Sequence, residues 1–364
     1  MSKIQDIQAA LNQKYYEREG EVEALLTAML SKQHVLFIGD AGTGKSQLSS
    51  ELGNIVQGSN YFQWLLSQFS TPEELFGVLS LKELEQGGVY KRNTSHKLPE
   101  AHFGFLDEIF KANSAILNSL LTIINERLFY NNGSPVQTPL MSIVGSSNEY
   151  PEEGEGLEAL FDRFLLRYEV DYIKEEKAFI SLLKGDNNVQ IPTITLDELK
   201  QYQSEVAQII IPDNAINTLA TIRTELKDEG IRPSDRRFKQ SLSLLQAKAF
   251  IDQRTQVVLK DLGLLSNTLW ETPEQRNTVR DIVYDHCSDV NEVKFEQLKQ
   301  NANELIELLH SDIAKDELEI MKKLKALADE VAKIQLDDAT KQQQFVDYLK
   351  NTRDEYATKQ LGIF

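Results

Sequence analysis

A parallel α/β sheet covered by helices on both faces, followed by two helical regions, is the architecture this sequence predicts, on three observations. Short apolar runs that read as buried strands alternate with helix-period segments through roughly the first 170 residues. Those runs end in glycine or polar residues, as strands do when their carboxyl edges carry a site. From about Tyr172 the strand signals thin out and capped helical segments take over.

The elements follow in order. EVEALLTAML reads as an amphipathic helix, and HVLFI as a buried strand that stops at Gly39. HFGFL runs into Asp107-Glu108, and LMSIVGSSN into Ser147-Asn148. Between them, KANSAILNSLLTIINERL sets Ile116, Leu120, Ile123 and Ile124 on one helical face. Two insertions interrupt the alternation. GGVYKRNTSHKLPEA precedes the second strand; LFYNNGSPVQTPL precedes the third and carries a hairpin signal at Asn132-Gly133. EEKAFISLLKG, TLDELKQYQSEVAQI, PDNAINTLATIRTELKDEG and SDRRFKQSLSLLQAKAFIDQR then open on acidic or capped turns, as an all-helical domain would.

Beyond about Asp285 the chain is more charged. Phe295, Leu298, Ala302, Leu305 and Leu309 recur at spacings of three and four, as do Leu318, Met321, Leu324, Ala328 and Val331. A coiled-coil-like arm for a partner and a helical hairpin packed on its own domain both fit; too few heptads are present for the first, so the second is expected. The net charge of −17 disfavours broad binding to a phosphate backbone. No apolar run reaches membrane-span length, and MSKIQDIQAALNQKYYEREG lacks a signal peptide's apolar core. Cys287 is the single cysteine, which excludes an intrachain disulfide and a cysteine-cluster metal site, so a reducing cytoplasm is expected.

Chemistry enters at Gly39-Asp40-Ala41-Gly42-Thr43-Gly44-Lys45-Ser46, which fits G-x-x-x-x-G-K-[ST] at every fixed position. Glycines let successive backbone N–H groups turn inward onto phosphate oxygens. Lys45 is expected to reach the β- and γ-phosphates and Ser46 to ligate Mg²⁺, while the helix starting at Lys45 adds its positive end. Gln47 completes the candidate nucleotide-binding set. The apolar run before Asp107 suits a strand that delivers a carboxylate to the Mg²⁺ shell, with Glu108 as general base for the attacking water. Asn148, ending the third strand, is a polar side chain where a γ-phosphate or lytic water could sit.

The P-loop, FLDE, SSNE, LEALFDRFLLR and PSDRRFKQSL together resemble an AAA+ ATPase of the MoxR family. FSTPEELFGVLS, GVYKRNTSHKLPEA and FLDEIFKANSAILNSLLTIINERLF look closest to its RavA-type branch, over roughly Asp6 to Trp270. The resemblance implies a division into an α/β core (1–171), an α-helical lid (172–285) and a helical extension (286–364). It implies Asn148 as sensor 1, Arg163 as an arginine finger acting on the neighbouring subunit's nucleotide, and Arg236 as sensor 2 with Arg237 as its rival. It further implies Mg²⁺-dependent ATP hydrolysis, a homo-oligomeric and usually hexameric ring, chaperone-like remodelling of protein clients, and a von Willebrand factor A domain partner. RavA-type proteins carry a β-rich domain after the lid, whereas this chain reads as helical there. Two other functions fit a P-loop chain: a motor acting on DNA or with a nuclease partner, using VYKRNTSHK as a basic hairpin, which the acidic balance opposes, and a low-turnover nucleotide-dependent scaffold, which the presence of Glu108 and Arg163 opposes.

Overall fold

Among the described residues of the computed structural model nine strands can be traced: β1 (Val35–Ile38), β2 (Val56–Gln57), β3 (Tyr61–Leu65), β4 (Phe103–Asp107), β5 (Leu128–Asn131), β6 (Ser134–Gln137), β7 (Ser142–Ser147), β8 (Leu166–Glu169) and β9 (Ile194–Thr195). The structure describes residues 2–151, 156–185, 189–287, 295, 298–299, 301–303, 305–306, 317–334 and 339–360. These fall into two units, Met1–Val283 and Tyr284–Phe364.

The first unit is organised by a five-stranded sheet in the order β3-β4-β7-β1-β8, every pairing parallel. The central strands are buried on both faces, as their unbroken apolar runs require. Serines in β7 are tolerated because each buried hydroxyl has an acceptor: Ser142 donates to the Gln33 carbonyl, Ser146 to Asp107, Ser147 to the Glu149 carbonyl. The outer strands β3 and β8 carry weaker sequence signals, since β3 is an exposed edge and β8 contains the buried Arg167. The carboxyl ends of β1, β4 and β7 lie side by side, which sets the place of the site.

Helices α1 (Lys3–Lys14), α2 (Glu19–Ser31), α3 (Lys45–Ile55), α4 (Pro72–Phe76), α5 (Leu81–Gly87), α6 (Ser114–Glu126) and α7 (Glu158–Phe161) accompany the sheet. Ile116, Leu120, Ile123 and Ile124 are the buried residues of α6, whose first turn is capped by the Asn113 side chain. The expectation for α2 needs correction. It is buried nearly all round rather than amphipathic, because it contacts α1, α3 and the sheet as well as the later helices α9 (Leu196–Val206) and α11 (Asp235–Ile251). Helices α8 (Glu176–Lys184), α10 (Asp213–Asp228) and α12 (Arg276–Cys287) complete the helical region. A two-residue parallel pairing of β2 with β9 ties that region to the core.

The two insertions differ. The second is an antiparallel hairpin, β5 with β6, turning at Asn132 and Gly133 in left-handed conformations. The first is not a hairpin of strands: it follows directly on α5 and is joined to the segment before that helix by a single antiparallel bridge, Leu79 to Arg92. Two of its basic residues, Arg92 and Lys97, are engaged internally. Arg92 donates to Glu73 and to the Gly77 carbonyl, and Lys97 donates to the Glu74 carbonyl beneath Trp64.

In the second unit Ala302, Ile306, Leu324, Ala328 and Leu349 form one apolar cluster, with Leu305 and Met321 against it. Phe295, Leu298, Val331, Ile334 and Val346 form another. The heptad-like positions thus pack on one another. Leu309 and the side chain of Leu318 lie outside the described residues.

Candidate active site

The loop between β1 and α3 is shaped by its glycines. A Cβ on Gly39 would stand 2.2 Å from the Val170 carbonyl oxygen, so only glycine admits the close pass beside the end of β8. Gly42 and Gly44 take positive φ angles of 85° and 88°, which turn the chain into the first turn of α3. The Gly39 N–H donates to the Ser147 carbonyl at 3.0 Å, tying the loop to β7. Lys45 is buried and lies back across the loop, donating to the carbonyls of Gly39 (2.5 Å) and Asp40 (2.8 Å) and reaching Asn148 Oδ1 at 3.4 Å. Burial lowers its basicity, opposed by the nearby carboxylates of Asp107, Glu108 and Asp40.

Facing the loop is the end of β4. Asp107 Oδ1 accepts from the Ser146 hydroxyl at 2.5 Å and the Glu108 N–H at 3.1 Å, fixing the carboxylate's orientation. Glu108 itself has φ 52° and ψ 47°, a left-handed conformation uncommon outside glycine and one that clusters at functional sites. Its Oε1 accepts from the Asn148 amide at 2.6 Å. Asn148 therefore bridges Lys45 and Glu108. Residues Ala41 to Gln47, Asp107, Glu108 and Asn148 line one cavity of about 460 Å³. Of the residues singled out from the sequence, the cradle, both carboxylates and Asn148 are thus brought together.

The adjoining cavity of about 770 Å³ was not legible beforehand. It shares Gly42, Thr43, Gly44 and Gln47 with the first and is walled by Tyr15, Tyr16, Ile173, Phe179 and Leu182. Buried Glu51 on α3 braces one wall, accepting from Lys14 and the Tyr15 hydroxyl, each at 2.6 Å. Arg18, also buried, straps the loop by donating to the carbonyls of Thr43 and Asp171. The combination of an apolar slot and a phosphate cradle is that of a nucleoside phosphate site.

Arg163 and Arg236 do not line either cavity. They meet at Asp162. Its carboxylate accepts from Arg163 at 3.0 Å, from Arg236, and from Arg237 at 2.6 Å. Burial would raise the Asp162 carboxyl, but Arg237, Arg236 and Arg167 outweigh it and hold the group below its ordinary range. Arg236 and Arg237 differ in how far their side chains are buried and engaged. Arg237 is 2% exposed and also donates to the carbonyls of Thr268 and Asp162, so both of its Nη groups are engaged within the fold. Arg236 is 44% exposed at its side chain and, among the described residues, donates to Asp162 alone.

Among the described residues no cluster of three or more His, Cys, Asp or Glu could hold a metal ion, and no helix is long and apolar enough to cross a membrane. A family model described as the MoxR domain of the MoxR-vWA-beta-propeller ternary systems matches residues 2–209, and one for an AAA lid domain matches residues 214–283. Uncharacterized protein MJ0079 of Methanocaldococcus jannaschii is 37% identical over 316 residues, covering 86% of this chain and 82% of that one. The chaperone MoxR1 of Mycobacterium tuberculosis is 28% identical over 160 residues, 43% of this chain and 41% of its own. A crystal structure of a candidate ATPase from Cytophaga hutchinsonii has a TM-score of 0.64 at 16% identity, over 78% of this chain and 93% of that one, a likeness of fold. The matching model carries the ternary-system description and not a RavA-type one. With more than half of the chain matched, and the cradle, the carboxylate strand and Asn148 all inside that match, the chain belongs to the MoxR family of AAA+ ATPases.

Proposed function

We propose that the protein hydrolyses ATP with Mg²⁺ as a ring-forming motor that remodels protein complexes. The observation that carries this is the meeting of the Gly39–Gln47 loop, Asp107, Glu108 and Asn148 around one cavity at the carboxyl ends of three adjacent strands. Lys45 has loop carbonyls as its present acceptors and would exchange them for β- and γ-phosphate oxygens, which are stronger partners for an ammonium. Ser46 and Asp107 fit a Mg²⁺ site: among the described residues the hydrogen bonds of Asp107 fall on Oδ1, so Oδ2 would be open to the ion, and Mg²⁺ habitually keeps water in its other positions. The ion would neutralise charge on the transferred phosphoryl group. Glu108 takes the proton of the attacking water, and Asn148 holds both that carboxylate and the water in line. The tyrosine- and leucine-walled slot takes the base, for which adenine is proposed.

Arg163 and Arg236 stand together outside this cavity, and that placement favours service to a neighbouring subunit's nucleotide; a hexamer is the proposed assembly. The family description names von Willebrand factor A and β-propeller components, and a partner of the former kind, with protein clients, is proposed for this chain in the cytoplasm. Nucleic acid is disfavoured by the internal engagement of Arg92 and Lys97. Glu108→Gln is expected to bind Mg-ATP normally and lose turnover by roughly 10²- to 10⁴-fold. It would then serve as a trap from which co-purifying partners are identified. Turnover within a few-fold of the parent protein would refute the base assignment.

A further inference from the structure

Beyond the cradle, Glu108 has a second neighbour. Glu108, in its left-handed conformation, immediately precedes a 3-10 turn, Ile109–Lys111, and that tight turn brings Lys111 back beside the carboxylate. Lys111 Nζ is 3.4 Å from Glu108 Oε2. That oxygen is buried and receives no hydrogen bond among the described residues, while Oε1 is held by Asn148 at 2.6 Å. Lys111 also reaches a second carboxylate, Glu149 Oε1, at 4.0 Å. Glu149 is largely exposed, and both residues line a separate groove of about 820 Å³ with Phe69 and Phe110. Neither lines the phosphate cavity.

A general base needs one free oxygen within hydrogen-bond reach of the water it deprotonates. Here one carboxylate oxygen is taken by Asn148 and the other faces an ammonium. We propose that Lys111 is a positioning residue that restrains Glu108, and that Glu149 competes for the same ammonium and so relieves the restraint. Lys111 stands on the groove side of Glu108 while the phosphates belong to the other side, so the pair adjusts the base without touching nucleotide. This rests on the reading of Glu108 as the base.

The test is steady-state ATP hydrolysis by the full chain with four substitutions, folding being checked by thermal unfolding. Lys111→Met is expected to raise kcat about fivefold at unchanged KM, the size of a partly exposed ion pair. Glu149→Gln is expected to lower kcat about twofold, because Lys111 then has only Glu108. Lys111→Arg keeps the charge and should restore the parent rate. In Glu108→Gln the Lys111→Met change should have no effect. A lower or unchanged kcat in Lys111→Met, or a KM that moves with it, overturns the restraint while leaving the base intact. Near-parental hydrolysis by Glu108→Gln alone overturns the base assignment instead, so the two failures are separable.

Discussion

The phosphate cradle and the arginine cluster at Asp162 hold positive charge in opposite ways. In the cradle, position is set by backbone: Gly39 passes within a Cβ's reach of the Val170 carbonyl, Gly42 and Gly44 have positive φ, and the loop N–H of Gly39 is tied to β7. Lys45 is one ammonium surrounded by carbonyl oxygens and carboxylates. At Asp162, position is set by charge: three guanidiniums, from Arg163, Arg236 and Arg237, share one carboxylate. Burial first, and then Arg236, lower the basicity of Arg163, so these cations are packed against mutual repulsion. A site built by backbone geometry is preorganised and tolerates little change. A site built by competing charges can be redrawn when a stronger anion approaches, which suits residues proposed to act on a neighbour's phosphates.

The comparison is tested hardest at Arg163. Arg163→Ala should bind ATP normally and lose about 10³-fold in turnover, the scale of an arginine finger. Mixed with Lys45→Ala subunits, it should recover part of that activity, because each supplies what the other lacks. No recovery in rings shown to contain both subunits would mean that Arg163 belongs to its own subunit's structure. The cradle gives the next effect. Lys45→Ala should weaken ATP binding about 100-fold by equilibrium titration, through loss of a charge-assisted contact in a buried setting. Unchanged affinity would refute the phosphate role of the loop.

The same contrast explains what the sequence disclosed. The cradle and Asp107-Glu108 were legible because their chemistry demands neighbours along the chain, with glycines at fixed offsets and an apolar run before the acids. Asn148 was legible from its place at a strand end. The Asp162–Arg163 pair is adjacent in sequence, but the convergence of Arg236 and Arg237 on Asp162 was not legible, since they lie 74 and 75 residues away and only the fold unites them. The apolar slot beside the cradle takes its further walls from residues 14–18, 50–54 and 172–182, none of them marked locally. Strands β3 and β8 escaped notice because an exposed edge and a buried arginine spoil their patterns; Arg167 is accommodated by the carbonyls of Phe161, Phe164 and Trp270. The engagement of Arg92 and Lys97 was hidden for a related reason, because the Glu73 carboxylate and the carbonyls of Gly77 and Glu74 that take them up lie some 15 to 23 residues earlier.

The smallest expected effect separates the two regions by pH. The Asp162 carboxyl is held below its ordinary range by its arginines. A depressed folded-state value contributes stability that is fully present above the unfolded value of about 4 and is lost as pH falls through the folded one. Asp162→Asn removes that contribution but keeps the backbone carbonyl that accepts from Arg237 at 3.0 Å, and the Arg237 contact to Thr268 at 2.8 Å. The variant should therefore unfold a few degrees below the parent at pH 7, and the gap should close as the pH is taken from about 5 towards 2.5. Lys45→Ala removes no group with a depressed carboxyl value, so its difference from the parent should not converge over the same range. Parallel melting curves for Asp162→Asn and the parent at every pH would show that the arginines are held by packing and main-chain acceptors rather than by the carboxylate. The cluster would then be as fixed as the cradle, and its proposed release towards a neighbour's nucleotide would lose its physical basis.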